Sequence, residues 1–350
     1  MKKYLLDTIR NKNRGTRAAV LKALLWPLSG LYAILVALRR VLFALRLLPV
    51  KKLDKPVISV GNITAGGTGK TPFVSYLVRK IQARNKKAVI LIRGYMDRKT
   101  SGSDEVKWYK AYMPDTKLLE GADRFFCARH FLNSNSCDCF IMDDGFQHRQ
   151  LERDLDIVLI DVTDPWGTGH LLPRGFLREG ITSLRRADVI VLTKVRLEEE
   201  EVVREIQKKI EGINPQVEMI HCHHQPELFY DPLGRQEKAL ETVSGRKVFA
   251  FSSIGFAESF EKTLTLLQAQ VSGSIDFMDH HSYSKEDVGR ILSEAEKCRA
   301  EYITTTEKDL VKLDEYIDLF RDQVKLLVLR IKIQITKGED ELLKRVFDLI

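Results

Sequence analysis

Thr64-Ala65-Gly66-Gly67-Thr68-Gly69-Lys70-Thr71 lies between a β-rich run, Pro56-Val57-Ile58-Ser59-Val60, and a helix-like one from Thr71 to Gln82. A strand, a glycine-rich turn and a helix start, in that order, are the setting of a phosphate-binding P-loop. The glycines let backbone N–H groups turn inward around a polyphosphate, the lysine reaches the β- and γ-phosphates, and the last threonine offers its hydroxyl to Mg²⁺. Residues Thr64, Ala65, Gly66, Gly67, Thr68, Gly69, Lys70 and Thr71 are therefore the expected contacts of a nucleoside triphosphate. The usual pattern opens with glycine where this chain has Thr64. The glycine pair is offset, which marks a P-loop subtype.

A chain of 350 residues, 44% hydrophobic and 30% charged, is long enough for two soluble domains with separate cores. Apolar runs alternate with helical patterns, which predicts an α/β fold: a P-loop NTPase-like, mostly parallel sheet with helices on both faces. The expected strands are Val57–Val60, Ala88–Ile92, Cys139–Met142, Ile157–Ile160 and Val189–Leu192, and Glu198 to Ile210 reads as an amphipathic helix. Pro226, Pro232, Gly234 and Gly245 then interrupt the pattern. Beyond them come Val248–Phe251, helices near Phe256–Gln268 and Lys285–Cys298, and strands at Tyr302–Thr304 and Val324–Ile331. The division this suggests is an N-terminal segment 1–50, a P-loop domain 51–220, a linker 221–245 and a smaller α/β domain 246–350.

The net charge of +8 is concentrated at one end. Residues 1–52 carry twelve Lys and Arg against the single acid Asp7, +11 in all, so the rest of the chain carries −3. That leaves no basic face for nucleic acid on the body of the protein. Within the same segment, Ala23 to Leu38 is sixteen residues without a charge, followed by Arg39-Arg40 and a second apolar run, Val41 to Leu45. As a helix the first run would cover about 24 Å, short of the roughly 30 Å hydrocarbon core, which favours lying in one leaflet over spanning. The flanking cations suit anionic lipid, and Trp26 and Tyr32 suit the interface. The plainer reading is an amphipathic helix packed on the protein body. A cleaved signal peptide is disfavoured by the polar residues that precede the run.

Five cysteines without paired spacing argue against a disulfide framework or a structural zinc site and point to a reducing cytoplasm. His221-Cys222-His223-His224 reads as a solvated turn or strand end, since neighbours in extended chain face opposite ways.

Phe140-Ile141-Met142-Asp143-Asp144-Gly145 puts two carboxylates at the end of an apolar strand, where a doubly wound sheet binds its ligands and a P-loop enzyme keeps a Mg²⁺-binding acid. Gln147 and His148 follow closely. Arg174 and Arg178, in Leu172-Pro173-Arg174-Gly175-Phe176-Leu177-Arg178-Glu179, offer phosphate contacts, and Glu179 can take a metal or hold an arginine. Asp104, in Ser101-Gly102-Ser103-Asp104-Glu105, falls on a glycine-containing loop, and Asp279-His280-His281 sets a carboxylate beside histidine. Alone, Asp104 is one acid among 48 and carries little weight, and for Asp279-His280-His281 a solvated surface is the favoured reading. Thr306-Glu307-Lys308-Asp309 follows a strand and would serve as a helix N-cap.

Taken together these segments resemble the tetraacyldisaccharide 4′-kinases of lipid A biosynthesis over most of the chain. The carriers are Val60 to Pro72, Arg93-Gly94-Tyr95, Asp104-Glu105, Asp143 to His148, Leu172-Pro173 with Gly175 and Leu177-Arg178-Glu179, Asp279-His280, and Thr306 to Asp309. The family's P-loop has the same offset glycines. The resemblance implies transfer of the ATP γ-phosphate to the 4′-hydroxyl of an acylated disaccharide 1-phosphate at the cytoplasmic face of the inner membrane. It makes Asp104 the base, with His280 as its partner from the second domain, brought to it by domain closure. Lys70 and Arg178 would stabilise phosphoryl charge, and Thr71, Asp144 and, among Asp143, Gln147 and Glu179, further oxygens would hold Mg²⁺. The chain departs from the pattern at Ser103, where glycine is more familiar, and at Val106, where proline is common.

Two other classes fit parts of the sequence. One is a membrane-anchored P-loop NTPase that switches a partner. Thr193-Lys194 matches part of a guanine-recognition motif, but the aspartate that motif needs is Arg196. The other is a soluble nucleotide kinase with an interface helix at its N-terminus.

Overall fold

The computed structural model describes residues 2–94, 103–197, 200–255, 257–313, 315–321 and 324–350. Tyr95, Ser101, Gly102, Glu198 and Phe256, drawn on above, lie outside the described residues. Backbone contacts divide the chain into two compact units. The first comprises Met1–Gly94, Asp115–His223 and Gln334–Ile350, and the second Tyr95–Pro114 and His224–Ile333. This departs from the expected boundaries. Asp104 goes with the second unit and the C-terminus returns to the first, because each follows the elements it packs against.

The first unit opens with α1 (Lys2–Ile9) and α2 (Thr16–Ala44). At 29 residues α2 runs straight through Arg39-Arg40, and at about 1.5 Å per residue it is roughly 43 Å long. The length estimate from the uncharged run was too short because arginine interrupts hydropathy but not a helix. Its inner stripe packs on the protein body, with Ser29 and Phe43 buried, while Leu24, Leu28, Leu31, Leu35 and Leu38 stand exposed on the outside. The helix is thus packed along one stripe, while its outward face is an exposed run of apolar side chains.

β1 (Val57–Asn62) leads through the glycine-rich turn into α3 (Lys70–Gln82), and β2 (Ala88–Ile92) follows. The chain then contributes α4 (Asp104–Tyr112) to the second unit before re-entering with β3 (Leu118–Glu120), α5 (Arg124–Leu132), β4 (Cys139–Asp143), β5 (Leu155–Asp161), β6 (Val189–Thr193), α6 (Glu200–Glu211) and β7 (Glu218–Asp231). The strand order is β7-β6-β5-β1-β4-β2-β3, and every pairing in that series is parallel. All residues of β1, β2, β4, β5 and β6 are buried, as in a sheet covered on both faces. Phe140 and Met142 of β4 pack with Ala128 and Phe131 of α5. Ile141, between them, faces the other way. The α3 residues expected to pack, Phe73, Leu77, Val78 and Ile81, are all fully buried.

The second unit contains the far half of β7, β8 (Gln236–Lys238), β9 (Lys247–Ser252), α7 (Ala257–Leu266), β10 (Gln270–Asp276), α8 (Lys285–Lys297), β11 (Tyr302–Thr306), α9 (Glu307–Leu310) and most of β12 (Lys325–Lys337). Its strands run β10-β9-β11-β12-β7, with β8 antiparallel to β7. A core of Phe249, Phe251, Tyr283, Ile291, Ile303 and Phe320 fills its centre. The expected linker 221–245 is largely strand: β7 runs unbroken through Pro226, between the part paired with β6 and the part paired with β8. His221 to His224 accordingly lie within a strand, not in a turn. The chain returns to the first unit with the end of β12 and α10 (Glu339–Phe347). All five cysteines are free thiols.

Candidate active site

The turn after β1 has the backbone a phosphate cradle needs. Gly66 has φ +136° and Gly69 φ +88°, values that exclude most side chains. Gly69 is the N-cap of α3 and supplies no side-chain cap, so the N–H groups of the first turn of α3 are left for a ligand. Thr64 forms an antiparallel bridge with Leu177, while Ala65 N donates to Phe176 O at 2.7 Å and Arg178 N to Ile63 O at 2.7 Å. That pairing holds Thr64 as extended chain, where a glycine is not required. Thr68 is buried, accepting on Oγ1 from Asn62 Nδ2 at 3.0 Å and on its carbonyl from Thr193 Oγ1 at 3.1 Å. Lys70 and Thr71 open α3, and Thr71 is buried.

Beside the cradle β4 ends at Asp143, which is buried. Asp144 follows with φ +53°. Gly61 permits this approach, since a Cβ there would lie 2.5 Å from the backbone nitrogen of Phe146. Arg178 Nη1 lies 2.8 Å from both carboxylate oxygens of Asp144, and Lys70 Nζ is 3.5 Å from Oδ1. Burial favours the neutral acid, yet Lys70 and Arg178 together hold the Asp144 carboxyl well below the ordinary carboxylate range. Gln147 joins the group, with Oε1 3.5 Å from Arg178 Nη1 and Nε2 donating to Asn62 O at 2.9 Å. Burial and the nearby Arg124 and Arg153 push the His148 imidazole down to about 4, so it is neutral near pH 7.

Lys70, Asp144, Gln147 and Arg178 are thus brought together, with Thr71 and Asp143 adjacent in chain. Glu179 is not part of that group: its two oxygens accept from Arg186 at 2.9 and 3.3 Å. Its carboxylate holds an arginine, one of the two roles open to it in sequence. Among the described residues no three His, Cys, Asp or Glu form a metal-binding group. The donors near the cradle are a hydroxyl, carboxylates and an amide oxygen, hard ligands that suit a Mg²⁺ also held by phosphates and water. Arg174 is 8% exposed, and its Nε and Nη1 have no protein partner. The inner stripe of α2 reaches the same loop and the turn after β4: Ser29 Oγ donates to Leu171 O at 2.9 Å and Tyr32 OH to Arg178 O at 2.9 Å, while Arg39 donates to Gln147 O at 3.0 Å.

The second unit holds an acid/base cluster. Asp104 is the first residue of α4 and not part of a loop; Ser103 caps the helix, accepting from Val106 N at 3.4 Å. The two departures from the family pattern therefore fit each other, because a proline at 106 would have no N–H to give. Asp104 Oδ2 lies 3.0 Å from His280 Nδ1. Both belong to this unit, so the expectation that they sit in different domains and meet only on closure is wrong. Burial works against the Asp104 anion, but the His280 hydrogen bond, Lys312 and Lys308 hold its carboxyl below the usual value. The same bond raises His280 above its ordinary value, against the pull of burial. His281 is occupied elsewhere, 2.9 Å from the Asp287 carboxylate that caps α8. Thr306 caps α9 as expected, accepting from Asp309 N at 3.2 Å. Sequence reasoning missed Lys312, whose Nζ is 3.8 Å from Asp104 Oδ2. Nothing in its local sequence separates it from the chain's other basic residues.

Comparison with known proteins identifies the family. The family model for tetraacyldisaccharide-1-P 4′-kinase (LpxK) matches residues 21–348. A tetraacyldisaccharide 4′-kinase of Halothermothrix orenii is 32% identical, over 98% of this chain and 96% of its own length. One from Syntrophus aciditrophicus is 36% identical, over 83% of this chain and 84% of its own. A crystal structure of LpxK from Aquifex aeolicus in complex with ATP aligns with a TM-score of 0.69 at 30% identity, covering 94% of this chain and 99% of that one.

Proposed function

Because the chain belongs to the tetraacyldisaccharide 4′-kinase family, we propose that it transfers the γ-phosphate of ATP to the 4′-hydroxyl of a tetraacylated glucosamine disaccharide 1-phosphate, giving the lipid A precursor lipid IVA. The observation that carries this reading is the family match along nearly the whole chain, on a P-loop whose lysine shares Asp144 with Arg178. ATP with Mg²⁺ supplies the phosphoryl group and, through the metal, neutralises charge on its oxygens.

The protein's own residues divide the remaining work. The segment Thr64 to Thr71 wraps the triphosphate, with backbone N–H groups from Gly66 onward, and Lys70 and Arg178 stabilise negative charge on the moving phosphoryl. Thr71 and Asp144, with Asp143 and Gln147 nearby, would hold Mg²⁺. Asp104 takes the proton of the acceptor hydroxyl, and His280 fixes and neutralises that carboxylate. The guanine-switch alternative is disfavoured: Lys194 is buried against Asp161 at 2.5 Å, and the position a guanine-binding aspartate would occupy is Arg196. Radiolabelled ATP offered with the acylated disaccharide 1-phosphate should label the lipid. Release of inorganic phosphate with no labelled lipid would refute the kinase reading.

The N-terminal segment is proposed to hold the enzyme at the cytoplasmic face of the inner membrane. A +11 segment attracts anionic lipid, and the outer leucines of α2 enter the head-group boundary. Removal of residues 1–50 is expected to shift the protein to the soluble fraction and to damage lipid phosphorylation far more than ATP binding. Unchanged sedimentation with membranes after the deletion would sink this part of the reading.

A further inference from the structure

Lys312 lies outside every motif noted in the sequence, yet it is the most enclosed cation beside Asp104, its side chain 4% exposed. Its Nζ is hydrogen-bonded to Ser253 Oγ, lies 3.1 Å from Asp309 Oδ1 and 3.8 Å from Asp104 Oδ2, and sits 5.7 Å from the Tyr283 ring centroid. Asp309 is itself fixed. With no exposed surface, it accepts on Oδ1 from Ser253 N at 3.0 Å, Ser253 Oγ at 2.6 Å and Tyr283 OH at 3.0 Å, and on Oδ2 from Thr306 Oγ1 at 2.7 Å. An ammonium has three N–H donors. Ser253 and Asp309 engage two, and the third is left for Asp104.

A simple counter-ion for Asp309 would not need this frame, since Asp309 already has four neutral donors. The frame instead holds a charge at a set distance from Asp104. The other charged groups acting on that carboxylate are His280 and Lys308 on α9; Glu105 on the same helix pairs with Lys308 at 3.2 Å, and Asp279 lies 3.9 Å from His280. Of the cations, His280 is half-exposed. An imidazole loses its charge at a much lower pH than an ammonium.

We propose that Lys312 is a positioning residue for Asp104: its ammonium, set by Ser253, Asp309 and Tyr283, keeps the carboxylate ionised and in place opposite His280 whether or not the imidazole is charged. The inference rests on the reading of Asp104 as the base. It also explains why the Asp309 end of Thr306-Glu307-Lys308-Asp309 is buried: the segment builds a frame for a charge as well as a helix cap.

The test uses full-length Lys312→Met, Lys312→Arg and Ser253→Ala proteins with the acylated disaccharide 1-phosphate in micelles. Lys312→Met is expected to lower kcat by about tenfold, the scale for a residue that orients an acting group, with KM for ATP unchanged. The acid limb of kcat/KM should move to higher pH, because a carboxylate deprived of a cation binds its proton more tightly. Lys312→Arg should recover most of the loss. In parallel, the His280 ring is titrated by NMR, and its midpoint should rise once the ammonium, which shares Asp104 with the imidazolium and repels it, is gone. Ser253→Ala, which frees the ammonium, should give the same shifts in smaller measure and carries the test if Lys312→Met does not fold. An unmoved acid limb and an unmoved His280 midpoint overturn the proposal even if kcat falls, since a purely structural lysine would behave that way. Near-normal turnover in Asp104→Ala would remove the base reading instead, and the His280 titration would still report whether Lys312 acts on Asp104.

Discussion

Asp104→Ala should lower turnover by about 10²-fold or more, at least roughly 2.7 kcal/mol of barrier, while ATP binding stays nearly intact. Asp104 is the first residue of a capped helix, held 3.0 Å from His280 and 3.8 Å from Lys312. Alanine at that position keeps the Ser103 cap, so the helix start survives while the carboxylate proposed as the base, with its pairing to His280, is lost. The ATP cradle lies on β1 and α3, in the other unit, and makes no use of this side chain. The loss should therefore appear in kcat with the lipid acceptor and not in the affinity for nucleotide. Its pH dependence has a definite sign. The folded Asp104 carboxyl lies below its ordinary 3.8, so the anion, and the stability it contributes, is present above that value and lost only as pH falls through the lower folded one. His280 lies above its ordinary 6.5, so its contribution is complete below that pH and fades as pH rises through the raised value. Turnover within a few-fold of the parent would remove Asp104 from the mechanism.

Asp144→Asn is expected to lower kcat by about 10²- to 10³-fold, the scale for losing one preorganised charge in phosphoryl or acyl transfer. The substitution is clean in backbone terms, since Asp144 sits at φ +53° and asparagine tolerates the left-handed region. What it removes is the negative charge shared by Lys70 and Arg178. Those two cations would then repel each other across the phosphate site, and a carboxylate proposed for Mg²⁺ would be gone. The Mg²⁺ concentration for half-maximal rate should rise together with the fall in kcat. The folded protein should also lose stability at neutral pH, because a carboxyl held well below its unfolded value stabilises the native state at all pH above that value. A rate within about three-fold of the parent, with the same Mg²⁺ dependence, would place Asp144 outside the active centre.

How much of this was legible in sequence follows from how local each feature is. β1, the glycine turn and α3 read directly, because strand propensity, left-handed glycines and a 3.6-residue apolar stripe are all written within 26 residues, Val57–Gln82. Asp143 and Asp144 read almost as well, since an apolar strand places whatever follows it at the ligand end of the sheet. The length of α2 was underestimated because two arginines end an apolar run without ending a helix. The domain assignment failed at 95–114, where the chain leaves one unit and joins another with no proline- or glycine-rich linker to mark the change. The same failure separated Asp104 from His280, 176 residues apart in chain and 3.0 Å apart in space. That Glu179 holds Arg186 could not be read either, since the two meet only through the packing of the loop that carries them.

The sequence by itself determined a phosphate-binding strand, turn and helix, a pair of acids at the end of a neighbouring strand, and a basic apolar N-terminus. These depend on backbone preference and periodicity over one or two elements. The tertiary structure alone decided which charge meets which. It clamped Asp144 between Lys70 and Arg178, turned Glu179 to Arg186, and set Asp104 between His280 and a framed Lys312. The reason is the short range of a useful ion pair: energies change severalfold over a few ångströms, and separations that small between distant parts of a chain are fixed only by the packing of the elements that carry them. The P-loop announces that phosphate is handled; only packing sets the Asp104 carboxylate between an imidazole and a framed ammonium.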